Sequence, residues 1–349
     1  MAMPIVESAR PVVGGVDTHL DTHVAAVIDS VGGVLGVEPF PVNRAGYEAL
    51  VSWMTSFGPI DRVGVEGTGA YGAGLARHLA NAQIAVVEVN RPNRQERRLN
   101  GKSDELDAIE AARAALSGRA RSQPKQRDGN VEAIRALMLA KRSARSARIA
   151  TIVQIRHLLF TAPDDLRVRY APLRTERMID ELARLRPRPE SDTVRYATKT
   201  TAVLLARRVH AFDDELALLD SQIAPLVKAT GPALLELYGV GIDTAATILV
   251  AAGDNPDRVR NEAAWAKMCG VAPVPATSGK RNNRFRLNSG GNRHANNAMW
   301  HIVFTRLGQR EPRTVAYMQR RLAEGRTKPE IIRCLKRYVA REVFAALPR

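Results

Sequence analysis

The sequence predicts a mixed α/β domain followed by a long helical remainder, and three observations predict it. Residues 11–118 alternate short valine-rich apolar runs with helix-periodic stretches. From about residue 130 the composition shifts to helix formers dense in arginine and lysine. Four carboxylates, Asp17, Glu66, Asp104 and Asp107, stand at the expected ends of elements in a chain whose formal net charge is +16.

In chain order, residues 12–17, 23–29 and 34–42 read as strands with tight connections, the second being Ser30-Val31-Gly32-Gly33. Asn43 is placed to cap a helix running to about Phe57. Tyr47, Leu50, Val51 and Met54 then follow at the i, i+3, i+4, i+7 spacing of a buried face. Residues 62–66 read as a short strand, 71–82 as a helix, 84–89 as a fifth strand, and 104–116 as a helix stopped by Ser117-Gly118. Three antiparallel strands followed by two joined through helical crossovers fit a mixed sheet with helices on its faces. That order also resembles the RNase H-like fold.

Between residues 130 and 228, Leu137, Ala140, Ala144, Ala147, Thr151, Gln154 and Leu158 keep an approximate heptad drift, so extended helices pairing as an antiparallel or intermolecular coiled coil are expected. Pro163, Pro172, Pro187 and Pro189 interrupt any single continuous helix, which predicts a helical hairpin with an irregular tip. From Gly231 the glycine turn LYGVGID precedes an apolar helix, TAATILVAAGD, and the chain closes on amphipathic basic helices from about Arg313. Such a turn is either a plain helix-hairpin connection or a backbone N–H contact to phosphate. The expected domains are 11–125, 126–230 and a mostly helical 231–349.

The positive excess favours a polyanionic partner, because each neutralised phosphate releases condensed counterions. Cys269 and Cys334 lie far apart with no metal-ligand spacing, which argues against a disulfide scaffold or a structural zinc. No stretch is long and apolar enough to span a membrane, and MAMPIVESARP lacks a signal-peptide core, so a cytoplasmic location is expected.

Asp104 and Asp107 are three apart, which puts both on one face of a helix at its first turn. Asp17 and Glu66 end strands that such a fold sets side by side. Four carboxylates converging there repel unless a cation lies between them, and Mg²⁺, a hard ion held by a few carboxylates, water and phosphate, is expected. Singly, Asp104 could cap its helix, Asp107 could favour the positive helix end, and Glu66 could be a turn residue. Asp21, Asp29, Glu88 and Glu105 read as turn or solvent-facing acids. His19 and His23 are left out of the expected site, since their four-residue spacing brings ligands together on a helix and this stretch straddles a strand end.

Thr277-Ser278-Gly279-Lys280 follows VAPVPA and precedes Arg281, Arg284, Arg286 and Arg293. Ser278 on a glycine-flanked loop among cations could attack phosphorus, and a phosphate-contacting basic loop is an equal reading of the same residues.

The segments GGVDTHLDTHVAAVID, GVEGTGAYG, GKSDELDAIEAARAAL, LYGVGIDTAATIL, CGVAPVPATSGK and NSGGNRHANNAMW together look like the insertion-sequence-110 family of DEDD transposases, from about Val12 to Ala345. The resemblance implies a RuvC-like N-terminal domain, a coiled-coil middle and a C-terminal transposase domain. It implies that Asp17, Glu66, Asp104 and Asp107 bind metal, and that Ser278 is a nucleophile forming a covalent phosphoserine link to DNA. By the same resemblance a structured non-coding bridge RNA guides the protein to donor and target DNA. Lys141, Arg142, Arg145 and Arg148 on the middle helices would then hold nucleic acid, as would Lys280, Arg281, Arg284, Arg286 and Arg293. It further implies a dimer or tetramer without membrane association, in a bacterial cytoplasm and at the nucleoid when acting on DNA. The competing readings are a RuvC-like junction-resolving nuclease using activated water, a nucleic-acid-binding protein with structural carboxylates, and an actin-like sugar kinase.

Overall fold

The structure, a computed structural model, describes residues 10–89, 103–120, 122–127, 129–189, 191–255, 258–276, 285–286, 288 and 290–348. The chain divides into two compact units, Met1–Gln126 and Arg127–Arg349.

The first unit is built on β1 (Val12–Thr18), β2 (Thr22–Ile28), β3 (Val34–Pro41), β4 (Ile60–Glu66) and β5 (Val86–Val89), with helices α1 (Arg44–Ser56), α2 (Ala73–Asn81) and α3 (Asp104–Leu116). The sheet order is β3-β2-β1-β4-β5. β2 runs antiparallel to both β1 and β3, whereas β4 runs parallel to both β1 and β5. This is the mixed sheet expected from the element order, and it is compatible with an RNase H-like domain. β1 is buried along its whole length, which is why it reads as a near-continuous apolar run.

The two faces of the sheet do different work. Val12, Val16, Val63 and Val65 point to one face and pack with Leu50 and Met54 of α1 and Leu75 and Leu79 of α2. On the other face Val13 and Ile28 meet Ala112 and Ala115 of α3. Alternation along a strand places Gly15 and Asp17 on this second face with Val13. α3 comes close enough that a Cβ on Gly15 would lie 2.2 Å from both the Ala108 carbonyl oxygen and the Ala112 nitrogen. A Cβ on Gly64 of the neighbouring strand would lie 2.4 Å from the Ala111 oxygen. Glycine is required at both positions because helix backbone, not a movable side chain, fills the space.

In the second unit, α4 (Asn130–Phe160) and α7 (Thr193–Thr230) form the long arms of a hairpin. Their ion pairs, Lys141 with Asp220 and Arg148 with Asp213, run in opposite chain directions, so the arms are antiparallel. The buried seam of α4 is Ile134, Met138, Lys141, Ala144, Thr151, Ile155 and Leu159. That seam shares only Ala144 and Thr151 with the expected stripe, and Gln154 is exposed. The alanines misled the register, because the aliphatic residues lie one position further round the helix.

The tip also differs from expectation. It holds two short helices, α5 (Asp164–Tyr170) and α6 (Thr175–Ala183), closed over Ile155, Leu159, Ala202, Ala206 and Val209 by Leu166, Tyr170, Met178, Ile179 and Leu182. Pro163 stands at the N-cap of α5 and Pro172 in the turn after it, so prolines punctuate the tip without preventing helix.

At the other end of the hairpin lie α8 (Pro232–Leu235), α9 (Ile242–Ala252), α10 (Glu262–Met268), α11 (Arg293–Gly308), α12 (Pro312–Ala323) and α13 (Lys328–Ala345). They share one core with α4 and α7, in which Trp265, Met299 and Ile302 are fully buried. A two-stranded ribbon, β6 (Val274–Pro275) and β7 (Phe285–Arg286), lies between α10 and α11 in the chain. Among the described residues no helix is long and apolar enough to cross a membrane.

Replacing Gly15 with alanine should cost about 2 kcal/mol, because the α3 backbone must lift from the sheet. Urea unfolding of the full chain measures this, and an unchanged midpoint would show that α3 is free to move away.

Candidate metal centre

Asp17 is the penultimate residue of β1 and Glu66 the last of β4, just beyond the paired Val16 and Val65. Since Gly15 and Gly64 face α3, Asp17 and Glu66, two residues further along, face the same side. There α3 begins. Ser103 is its N-cap, accepting from the Leu106 nitrogen at 3.2 Å, and Asp104, Glu105 and Asp107 occupy the first turn. The capping role that Asp104 could have filled alone thus belongs to Ser103, and the Asp104 carboxylate is left for other contacts.

Those contacts run through a residue the sequence reading set aside. His19 Nε2 lies 3.1 Å from Asp17 Oδ2 and 3.3 Å from Asp104 Oδ1. One ligand atom from each of Asp17, His19 and Asp104 lies within 4.8 Å of the others. The missed signal was the period-two relation of Asp17 and His19 at a strand end, which sets the two side chains on one side; helical spacing was the wrong test.

Asp17 is 7% exposed and Asp107 3% exposed. Burial pushes the Asp17 carboxyl above the usual range; the nearby Asp107 and Asp104 push it further, while His19 draws it back. These groups are therefore close enough to feel one another, and the imidazole is a weak answer to three carboxylates. Glu66 is half-buried, and its own carbonyl accepts from Thr18 Oγ1 at 3.0 Å, which ties the ends of β1 and β4 together. Thr68 Oγ1 donates to Glu88 Oε1 at 2.8 Å, holding the turn after Glu66 against β5.

The donor set is hard oxygen with one imidazole, drawn from two strands and one helix start. A buried carboxylate disfavoured by its own neighbours fits a divalent cation, which would reverse the sign of the local field. His23, the other histidine set aside, is fully buried against Tyr47, with ring centroids 5.8 Å apart, and stays outside the cluster.

The expected nucleic-acid contacts divide three ways. Ser278, Lys280, Arg281 and Arg284, with Thr277 and Ser289, lie outside the described residues. Arg286 on β7 and Arg293 at the start of α11 are exposed. On α4, Lys141 is 3% exposed and its ammonium meets Asp220 and Asp243. Arg145 reaches Asp243 at 2.8 Å, and Arg148 reaches Asp213 at 2.5 Å. Burial would raise the Asp243 carboxyl, but Lys141 and Arg145 hold it below the usual range. Each of these cations is faced by an acid of α7 or α9. Arg142, half-buried, donates Nε to the Met138 carbonyl oxygen at 3.0 Å.

Comparison with known proteins follows this geometry. Residues 14–162 match a family model described as transposase, of the DEDD type of IS110, and residues 231–319 match one described as the transposase IS116/IS110/IS902 family. A protein of Streptomyces coelicolor, named "Insertion element IS110 uncharacterized 43.6 kDa protein", is 30% identical over 182 residues. That match spans 51% of this chain and 44% of the relative.

A divalent cation bound by the acid cluster should raise the melting temperature, with stabilisation of about 2.7 kcal/mol at a hundred times the dissociation constant. Asp17→Asn should abolish the rise in a metal titration followed by calorimetry, and an undiminished rise would place the cation elsewhere. Lys141→Ala should lower stability by about 2 kcal/mol, since Asp220 and Asp243 regain some solvent, and leave the salt dependence of nucleic-acid binding unchanged. Unaltered urea unfolding with a reduced salt slope would return Lys141 to the binding surface.

Proposed function

The chain belongs to the IS110 family of transposases, and from that premise we propose that it cuts and rejoins DNA as the recombinase of a mobile insertion element. The observation that supports the reading is that ligand atoms of Asp17, His19 and Asp104 lie within 4.8 Å of one another, with Asp107 near enough to raise the Asp17 carboxyl and Glu66 ending the neighbouring strand β4. The other half of the reading is Ser278, taken as the nucleophile.

Asp17, Glu66, Asp104 and Asp107 would hold Mg²⁺, which when bound supplies positive charge to the oxygens of a scissile phosphate. The protein's own groups set the geometry. Asp17 is held rigid by a fully buried strand, and Asp104 and Asp107 by a capped first turn. His19 hydrogen-bonds Asp17 and lies between it and Asp104, fixing the orientation of both carboxylates.

In the proposed step the Ser278 Oγ attacks phosphorus and loses its proton. The bond from phosphorus to the departing strand oxygen breaks, and that oxygen takes up a proton to leave as a hydroxyl. The phosphoserine bond conserves the energy of the broken phosphodiester, so a second strand's hydroxyl can displace serine and rejoin the DNA. A bridge RNA encoded by the element would supply sequence choice, and a dimer or tetramer would bring serine and acid cluster from different copies together. The substrate, the RNA and the assembly are all parts of the proposal.

A second reading is supported by the same cluster: its acids all lie in one unit, as suits a junction-resolving nuclease in which water attacks and no protein–DNA bond forms. The two readings separate in one experiment. End-labelled DNA carrying the sequences that flank the coding region is incubated with protein and Mg²⁺, then resolved under denaturing conditions. Label transferred to the protein, lost in Ser278→Ala and in Asp17→Asn with Asp107→Asn, is the expected result. Nicked DNA without label on the protein, or label retained by Ser278→Ala, would overturn the serine step.

A further inference from the structure

The second unit contains a cleft of about 840 Å³ unlike any other surface described so far. It opens between the β6–β7 ribbon and the facing sides of α12 and α13. Seven cations line it against one carboxylate, Glu330. Glu330 is occupied as a helix cap, accepting from the Thr327 nitrogen at 2.9 Å and Thr327 Oγ1 at 2.8 Å.

The cations are not all alike. Arg321 is paired with Glu324, and Arg337 and Arg341 are paired with Glu262. Lys336 donates to Asn296 Oδ1 at 2.6 Å. Arg286, Arg326 and Arg333 have no ion-pair partner among the described residues and are exposed. This is the reverse of the pattern on α4, where cations are met by acids. Burial, and then Arg333, push the Lys336 ammonium below the usual lysine range.

Aromatic rings interleave with these cations. Phe285 is 58% exposed and Tyr338 48% exposed, both on the lining. Tyr338 is braced edge-on by Tyr317, with centroids 5.5 Å apart at 75°. Phe285 is an exposed phenylalanine on a two-residue strand, and an exposed tyrosine ring braced by a second ring presents a flat apolar face. Cations beside exposed aromatic faces are what an unpaired strand requires, because a paired base offers no free π-face.

We propose that this cleft binds single-stranded nucleic acid, with Arg286, Arg326 and Arg333 taking phosphates and Phe285 and Tyr338 stacking on unpaired bases. The inference rests on the proposed action on nucleic acid for its substrate class, and adds to it where an unpaired strand lies. The ribbon that contributes Phe285 and Arg286 is formed by the two ends of the segment carrying Ser278, so a strand held in the cleft is tethered next to that segment in the chain. An acidic peptide would satisfy the arginines and leave the aromatic faces without partners.

The test uses the full chain with a thymidine oligomer carrying 5-iodouracil, its uridine counterpart in RNA, the matching duplex, and polyglutamate as competitor. Photocross-linking and peptide mapping should place the adduct on Phe285 or Tyr338 with either single strand and at least tenfold less with duplex. Arg326→Gln with Arg333→Gln, both exposed and without ion-pair partners among the described residues, should weaken single-strand binding about tenfold. It should also reduce the slope of log K against log salt by about 1.4, for two phosphates lost. A difference between the DNA and RNA oligomers identifies which strand the cleft prefers.

Cross-links confined to other segments, an unchanged slope in the double variant, or displacement by polyglutamate as effective as by oligonucleotide would overturn the proposal. Asp17→Asn should cross-link as the parent does. Cross-linking without label transfer in the strand-transfer assay would count against the recombinase reading alone, and label transfer without cross-linking against the cleft alone.

Discussion

The close approach of α3 to the sheet governs the first unit. Four alanines, Ala108, Ala111, Ala112 and Ala115, face glycines on β1 and β4, so that helix backbone touches strand backbone. Any larger pair would hold the helix further off, and with it the first turn that carries Asp104 and Asp107. The arrangement has a cost. Glycine weakens a strand, and alanine buries little apolar surface, so this face contributes little to stability. The opposite face offsets it, where valines of two strands meet leucine and methionine from α1 and α2. One sheet thus carries a thick apolar face that stabilises and a thin one that brings acids together.

Electrostatics then work against the fold at the place where the packing succeeds. The positive end of α3 favours acids in its first turn by about 0.3–1 kcal/mol each. Burying Asp17 close to two of them works the other way and raises its carboxyl above the usual range. His19 answers part of the charge through two contacts. A site assembled from mutually unfavourable groups at the end of a rigid sheet is a reservoir that a bound cation discharges, so packing and binding are linked through the same few residues.

Much of this was legible from residue order, and the failures share a cause. Strand runs, the Asn43 cap and the helix at residues 104–116 are set by local pattern, and the structure agrees to within two residues at most ends. The pairing of β1 with β4 followed from the crossover helices, and so did the convergence of acids at strand ends. His19 was missed because its role depends on a strand's alternation meeting a helix start that is remote in sequence. The α4 seam was set one position off because alanine is compatible with both buried and exposed faces. The partners of Lys141 were not legible, because lysine density on a helix says nothing of Asp220 and Asp243, which reach it only after α7 and α9 fold back. Pro163 and Pro172 interrupt a single continuous helix as expected, but Pro163 stands at a helix start, where its missing N–H is unpaired anyway, and Pro172 in a turn, so short helices still form in the tip.

The same distinction decides where the chain's positive charge acts. Lysine and arginine exceed aspartate and glutamate by 16, and an ion pair removes one of each, so pairing leaves that excess untouched. It only moves it. Along α4 the cations at Lys141, Arg145 and Arg148 are matched by acids from elsewhere in the same unit, so this helix, the most basic-looking stretch, contributes less free charge than its composition suggests. The excess must therefore collect where carboxylates are scarce or already engaged. The cleft beside α13 meets that condition among the described residues, since seven cations line it against one acid, Glu330. Charge density read along a sequence finds the arginines; only the placement of the acids shows which of them remain to meet a phosphate.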